Sequence, residues 1–295
     1  MRCSLLDFPA GVIRRRRSRY NVHMSNLLDA DRIAAQCSAV ENGLVIEVVA
    51  ETASTNADLR QRIDQLRSPV LRVAEQQTAG RGRAGRVWHA APGDSLCFSL
   101  AWPFSRGLVQ LAGLPLAVGV ALADTLRALG YPVTLKWPND LLLDAAKLGG
   151  VLVETGTART EHSESVWAVI GVGLNVHPNS TRDTGVLHDV ASLGEHIDRN
   201  ALLSNITDTL VDALRSFDQH GLAPFIDRWQ RWHAFAGLPV CVMDQGKLLH
   251  EGIARGIDAT GCLQLETDAG LIAVAAGDLS LRAVSTNKAS HAATD

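Results

Sequence analysis

Two rhythms of hydrophobic and polar positions run along this chain, and the points where one gives way to the other mark out its elements. Residues 44–50 (LVIEVVA) are dense in β-branched side chains and predict a strand. Residues 55–66 take up helical spacing, with Ser54 or Thr55 suited to the N-cap, and Ser68-Pro69 stops them. Strands are expected at 70–75 and, with clear alternation, at 95–102 (SLCFSLAW). Residues 111–129 return to helical spacing and stop at Gly130. Strands at 133–137 and 150–154 flank a turn at Pro138-Asn139-Asp140, and the apolar run 166–176 pairs with the second of them as a hairpin. A short helix is expected at 29–40, and two more at 200–220 and 222–235.

Beyond residue 238 short β segments alternate with Asp-Gln-Gly, Asp-Ala-Thr-Gly and Asp-Ala-Gly turns, the spacing of a small barrel. Hairpins outnumber strand–helix–strand crossovers, so the expected fold class is α+β (mixed α/β) rather than a doubly wound parallel sheet. The expected division is a disordered or artefactual extension over 1–26, with Met24 as an alternative start. The main domain follows over 27–236, the barrel over 237–284 and a disordered tail over 285–295.

Composition narrows the possible partners. The chain has 295 residues, 46% hydrophobic and 20% charged, as expected of a chain with an ordinary core. Its net charge of -3 gives no general drive toward nucleic acid or acidic membranes, and the run Arg14 to Arg17 with Arg19 reads as a solvated, disordered segment. Five scattered cysteines without a Cys-x-x-Cys pair point to a reducing compartment and to no zinc site. The apolar stretch 111–123 is broken by Pro115 and reads as too short to span a bilayer. The expectation is a soluble cytoplasmic protein with no membrane and no specific DNA partner.

The candidate chemistry sits in three places. Gly80 to Arg86 (GRGRAGR) matches G-x-G-x-x-G, but no helix follows it and no acidic residue stands about 20 positions on, so the dinucleotide-binding reading fails. What the loop offers is arginines interleaved with glycines, a backbone that can approach an anion and guanidiniums that grip phosphate. Only four of the 28 basic side chains are lysines, and two of these, Lys136 and Lys147, fall in the window KWPND…KLGGVLVE. Where arginine serves every general need, a lysine is wanted for its compact ammonium, here beside two glycines and able to meet a carboxylate or an α-phosphate. Ser54-Thr55-Asn56 at a strand–helix junction can cap the helix and also bind a polar ligand.

The ordered set STN, QQTAGRGRAGRVW, KWPNDLLL, KLGGVLVE and GVGLNV, from about residue 44 to 283, resembles the biotin–protein ligases. The resemblance implies a catalytic core related to class II aminoacyl-tRNA synthetases followed by an SH3-like barrel. It implies condensation of biotin with Mg-ATP to biotinyl-5′-AMP and pyrophosphate, then transfer of biotin to a lysine of a biotin carboxyl carrier protein, a subunit or domain of acetyl-CoA carboxylase. Ser54, Thr55, Asn56, Gln77 and the segment Arg81-Gly82-Arg83 would bind biotin and its adenylate. Lys147 would be the main catalytic residue, with Arg83 beside it, and Arg86 would help close the loop. Asp140 and Asn175 match positions near the metal, the nucleotide or the incoming lysine, and Lys136 and Gly150 border them; Mg2+ would arrive with ATP. Two departures stand out: Ala84 where some relatives carry arginine, and no aromatic near Gly185-Val186 to lie on adenine. The form expected is monofunctional, without an N-terminal DNA-binding domain. The nearest alternative is a lipoate or octanoate ligase or transferase of the same superfamily; a more distant one is a non-enzymatic nucleic-acid-binding protein using the two arginine clusters.

Overall fold

The computed structural model describes residues 27–90, 92–159, 164–178 and 190–283. The arginine run at 14–19, the segment around Gly185-Val186 and the expected terminal extensions lie outside the described residues. In chain order the first elements are α1 (Ala30–Ala34), β1 (Val45–Thr52), α2 (Thr55–Gln61), β2 (Val70–Gln77), β3 (Ser95–Phe104) and α3 (Leu114–Ala128). Next come β4 (Thr134–Lys136), β5 (Asp140–Leu143), β6 (Ala146–Arg159), β7 (Glu164–Asn175), α4 (Arg199–His220) and α5 (Ile226–Arg231). The last five strands are β8 (Pro239–Asp244), β9 (Lys247–Ile257), β10 (Leu263–Thr267), β11 (Gly270–Val274) and β12 (Leu279–Ala283).

Seven strands form one sheet in the order β1-β2-β3-β7-β6-β5-β4, and five form a second in the order β11-β10-β9-β8-β12. Only β1 and β2, joined through α2, run parallel; the other pairings are antiparallel, as the dominance of hairpins predicts. This is the expected mixed α/β class with a small β domain behind it. Four elements differ from the sequence reading. The helix expected at 55–66 ends at Gln61 and is followed by a 3-10 turn at Ile63–Gln65. The helix at 29–40 breaks after Ala34 and resumes as a 3-10 turn at Ser38–Asn42. The helix expected at 222–235 shrinks to α5, with a 3-10 turn at Ala223–Phe225 ahead of it. Asp140, read as the end of a turn, opens strand β5, because the chain reverses again at Asp144-Ala145.

The two faces of the large sheet do different things, and strand periodicity decides which residue serves which. Along β7, Ala168, Ile170, Val172 and Leu174 are buried with α3 and α4 in the main core. Their neighbours Gly171, Gly173 and Asn175 line a cleft on the opposite face. α4 supplies its stripe at helical spacing, Leu203, Ile206, Leu210, Leu214 and Phe217, with Asp198 as its side-chain N-cap. Leu108–Ala128, counted through the 3-10 turn before α3, is 21 residues long and apolar enough by composition to cross a membrane, longer than the sequence reading allowed. Here the helix is buried under the sheet, and nine apolar side chains of α3 belong to the core.

Beneath the sheet Arg199, at the start of α4 and fully buried, gives one guanidinium nitrogen to both oxygens of Glu75 (3.0 and 2.8 Å) and another to the Ser95 carbonyl (3.2 Å). The pair ties β2, β3 and α4 together where apolar side chains could not fix their relative register. The small domain is fastened at several points. Trp137, wholly buried, donates its indole N–H to the Gly261 carbonyl at 3.1 Å. Leu135 exchanges backbone bonds with Trp232 (2.7 Å) and Ala234 (2.8 Å) just ahead of β8.

His233 stands in that junction, its ring 4.6 Å from Trp229 and neither nitrogen partnered among the described residues. Burial lowers its pKa from 6.5 to about 4. Between those values unfolding takes up a proton, so stability falls as the pH drops from 6.5 to 4, by roughly 3 kcal/mol in all. Urea midpoints should follow that slope, and His233→Phe should flatten it; an unaltered slope in the variant would assign the effect to other groups.

Candidate active site

The cleft left by Gly171 and Gly173 encloses about 800 Å³ and is bounded on its far side by β12 of the small domain. Its floor is bare for a reason that can be measured. A Cβ on Gly171 would lie 2.4 Å from Asn56 Oδ1, and one on Gly173 would lie 2.4 Å from the indole of Trp88. The GVGLN sequence is therefore the imprint of two side chains that lie flat on the strand.

At one end of the cleft stands the start of α2. Ser54 is its N-cap and accepts from the Ala57 N–H (3.4 Å). Thr55, next in line, brings its backbone N–H (2.8 Å) and hydroxyl (3.1 Å) to Gln77 Oε1, and the hydroxyl lies 2.7 Å from Ser99 Oγ. Asn56 reaches Ser99 through Oδ1 and Glu154 through Nδ2 (3.0 Å). Glu154 also holds Arg60 at 2.7 Å and Arg81 at 3.7 Å. The motif thus caps a helix and builds a buried polar network; the two roles are carried by different atoms.

The arginine loop folds over the opening as a tight hairpin. Gly82 N–H donates to the Arg86 carbonyl (2.7 Å) and Trp88 N–H to the Gly80 carbonyl (2.9 Å). At its tip Ala84 (φ 53°) and Gly85 (φ 69°) are both left-handed, a conformation that costs an alanine about 1 kcal/mol and marks strain at a ligand-facing loop. Arg83 reaches across to Asn139 Oδ1 (2.9 Å) and to the Gly277 carbonyl just ahead of β12. Burial holds its pKa below the ordinary arginine value, against the pull of Asp140 and Asp278.

Opposite the loop, Lys147 Nζ lies 2.7 Å from Asp140 Oδ1, and Lys136 Nζ lies 3.4 Å from Oδ2. Burial alone would raise the Asp140 pKa, but Lys147 and then Lys136 outweigh it and hold the carboxyl below its usual range. Asn175 gives its amide to the Lys147 (3.4 Å) and Ala191 (3.2 Å) carbonyls, so it fixes the backbone under Lys147 rather than reaching outward. No group of three His, Cys, Asp or Glu able to hold a metal occurs among the described residues. The one carboxylate beside the lysines suits a cation that arrives already coordinated by phosphates.

Every residue singled out from the sequence borders this one cleft: Ser54, Thr55, Asn56, Gln77, Arg81, Gly82, Arg83, Arg86, Lys136, Asp140, Lys147, Gly150 and Asn175. Four contributions have no role in the sequence reading, although Trp88 and Glu154 end the quoted motifs QQTAGRGRAGRVW and KLGGVLVE. Ser99 and Glu154 sit in ordinary strand patterns, Trp88 lies on the cleft floor, and residues 278–283 bring the small domain into the wall.

The biotin/lipoate A/B protein ligase family matches residues 45–175, and the biotin protein ligase C-terminal domain matches residues 239–282. The bifunctional ligase/repressor BirA of Salmonella typhimurium is 39% identical over 260 residues, 87% of this chain and 79% of that protein. The biotin–[acetyl-CoA-carboxylase] ligase of Mycobacterium tuberculosis is 34% identical over 247 residues, 79% of this chain and 88% of that protein. Among solved structures, the biotin protein ligase of Aquifex aeolicus in complex with biotin and ATP has a TM-score of 0.66 and 25% identity, covering 81% of this chain and 99% of that one.

The bare floor is testable without any ligand. Gly171→Ala should drive Asn56 off its contact with Glu154 and cost roughly 1–3 kcal/mol, because a side chain bound at both ends can make room only by breaking one of its bonds. Urea denaturation gives the cost and a crystal structure of the variant gives the displacement; an undisturbed Asn56–Glu154 bond would refute the packing argument.

Proposed function

The chain belongs to the biotin protein ligases of the biotin/lipoate A/B family, activating biotin with ATP and transferring it to protein, and from that premise we propose how its residues divide the work. The observation that carries the reading is the placing of Lys147 beside Asp140, at the far side of a glycine-floored cleft from Ser54-Thr55-Asn56. One end takes the polar ring of biotin and the other its carboxylate and the α-phosphate of ATP.

In the first step a biotin carboxylate oxygen attacks the α-phosphorus, and pyrophosphate leaves. Two anions must be brought together and more charge gathers on the phosphoryl oxygens, so fixed cations lower the barrier. Lys147 is the nearest such cation, and Asp140 holds its ammonium in place until phosphate competes for it. Lys136 flanks the same carboxylate. Asp140 would be the carboxylate to meet a Mg2+ ion carried by the ATP phosphates, which would offset their charge. Arg81, Arg83 and Arg86 then close on the adenylate, and closure keeps water from the mixed anhydride. In the second step an uncharged lysine amine attacks the acyl carbon and AMP leaves. The acceptor we propose is a lysine of a biotin carboxyl carrier protein, the subunit or domain of an acetyl-CoA carboxylase.

The repressor activity in the names of the BirA relatives is not part of this proposal. The proposal is confined to the ligase reaction. Specific binding to operator-type DNA would overturn that restriction.

Incubation with biotin, Mg-ATP and a carrier domain should add one biotin to the carrier, seen by mass. ATP–pyrophosphate exchange should require biotin and ignore lipoate and octanoate. Lys147→Ala should lower the exchange rate by about two orders of magnitude or more, on the order of 3 kcal/mol. A folded variant exchanging at the normal rate would remove Lys147 from the chemistry.

A further inference from the structure

The polar end of the cleft holds a directed chain of hydrogen bonds whose direction is set by a residue outside the cleft wall. Glu154 stands on β6 behind Asn56 and is 18% exposed. Asn56 Nδ2 reaches it at 3.0 Å, Arg60 at 2.7 Å and Arg81 at 3.7 Å. A carboxylate only accepts, so the Asn56 amide must turn its NH2 toward Glu154 and toward the Leu152 carbonyl at 3.4 Å. Its oxygen is then left facing Ser99.

The rest follows from counting protons. Ser99 is wholly buried, and a carbonyl oxygen cannot donate, so the single hydroxyl proton of Ser99 goes to Asn56 Oδ1. Ser99 must therefore accept from Thr55, whose hydroxyl is 2.7 Å away. That bond uses the one proton Thr55 has. Gln77 Oε1 is already served by the Thr55 backbone N–H, and the hydroxyl could turn to it, at 3.1 Å, only by giving up the shorter bond. What Thr55 shows to the cleft is a lone pair.

We infer that Glu154 is a positioning residue that, through Asn56 and Ser99, fixes the Thr55 hydroxyl as an acceptor and so selects an acid whose ring carries an N–H donor. This rests on the reading of the cleft as a biotin site. The ureido ring of biotin offers such donors; a dithiolane or an alkyl chain offers none. A site built around a buried acceptor rejects a ligand lacking the matching donor, because the acceptor is left dry and unpaired. Glu154 does not line the cleft. It acts by removing the alternative in which the amide turns over, both hydroxyls reverse and Thr55 becomes a donor.

The test compares the unmodified chain with Glu154→Gln and Ser99→Ala in acid-dependent ATP–pyrophosphate exchange. The acids are biotin and the two carbamate analogues in which one ureido N–H is replaced by a ring oxygen. Glutamine can donate as well as accept, so Glu154→Gln removes the shorter of the two acceptors holding the Asn56 NH2 and leaves only the Leu152 carbonyl at 3.4 Å. The KM for biotin should rise about tenfold or more with the KM for ATP within about twofold, and the preference for biotin over the better-excluded carbamate should shrink by a similar factor. Glu154→Asp, which keeps an acceptor-only group, should retain the preference. Ser99→Ala should reproduce the loss, and the double variant should be no worse than the worse single one. An unchanged preference in Glu154→Gln, or in Ser99→Ala should the glutamine variant fail to fold, overturns the relay, as do fully additive losses. Absence of biotin-dependent exchange in the unmodified chain overturns instead the functional reading on which the relay rests.

Discussion

The constraint on which the rest depends is the missing bulk on one face of β7. A strand in the middle of a seven-stranded sheet would ordinarily bury side chains on both faces. Here Ile170, Val172 and Leu174 do so on one side, while Gly171 and Gly173 leave the other open. The openness is filled in part by Asn56 and Trp88, which lie against the two glycines closely enough that no Cβ fits. Every candidate binding residue is hung around that floor: the cap of α2 at one end, β4 and β6 with the lysines at the other, and the arginine loop above. The glycines weaken the strand by removing packing from it. The long flanking ladders, β3 on one side and β6 on the other, supply the compensation.

Charge is divided according to how rigidly it must be held. The two ammonium groups sit on the β4–β5–β6 hairpins, pinned by Asp140, on backbone held in strand ladders. The guanidiniums sit on a hairpin loop with two left-handed residues at its tip, and at least two of them already lean on groups across the cleft, Glu154 and Asn139. Phosphoryl transfer needs a cation in a fixed place, whereas retention of the product needs cations that can come and go. A planar fork with several donors tolerates such movement better than a point charge does.

Much of this was legible in the sequence because its signals are local. Ser54 as a cap, the glycines beside Lys147, and the use of lysine against an arginine background each need only a few neighbouring residues to be read. β5 was not legible: Asp140-Leu-Leu-Leu143 has no alternation, and the turn after it uses Asp144 and Ala145 at positive φ (51° and 64°) without the glycine that advertises such a turn. Helix 29–40 failed for the opposite reason. Its apolar spacing is real, but the segment bends after Ala34 so that Cys37, Ser38 and Ala39 can meet the Asp208 carboxylate on α4. Ser99 and Glu154 were invisible because strand alternation explains both without a ligand. Their meaning comes from partners 43 and 98 positions away.

The small domain is part of the same device. It is fastened to the core through Trp137 and Gly261, and through the backbone exchange at Leu135, both within a few residues of Lys136. Its last strand forms a wall of the cleft, and the Gly277 carbonyl before that strand takes a hydrogen bond from Arg83 in the loop. Arg83 thereby joins three bodies: the arginine loop, the strand turn carrying Asn139, and the domain that follows the core in sequence. A guanidinium has enough donors to hold two such partners and still present an edge to phosphate. Loop closure and domain position are consequently coupled through one side chain, and a barrel that merely followed the core as a separate unit would leave that side chain with one partner fewer and the cleft with one wall fewer.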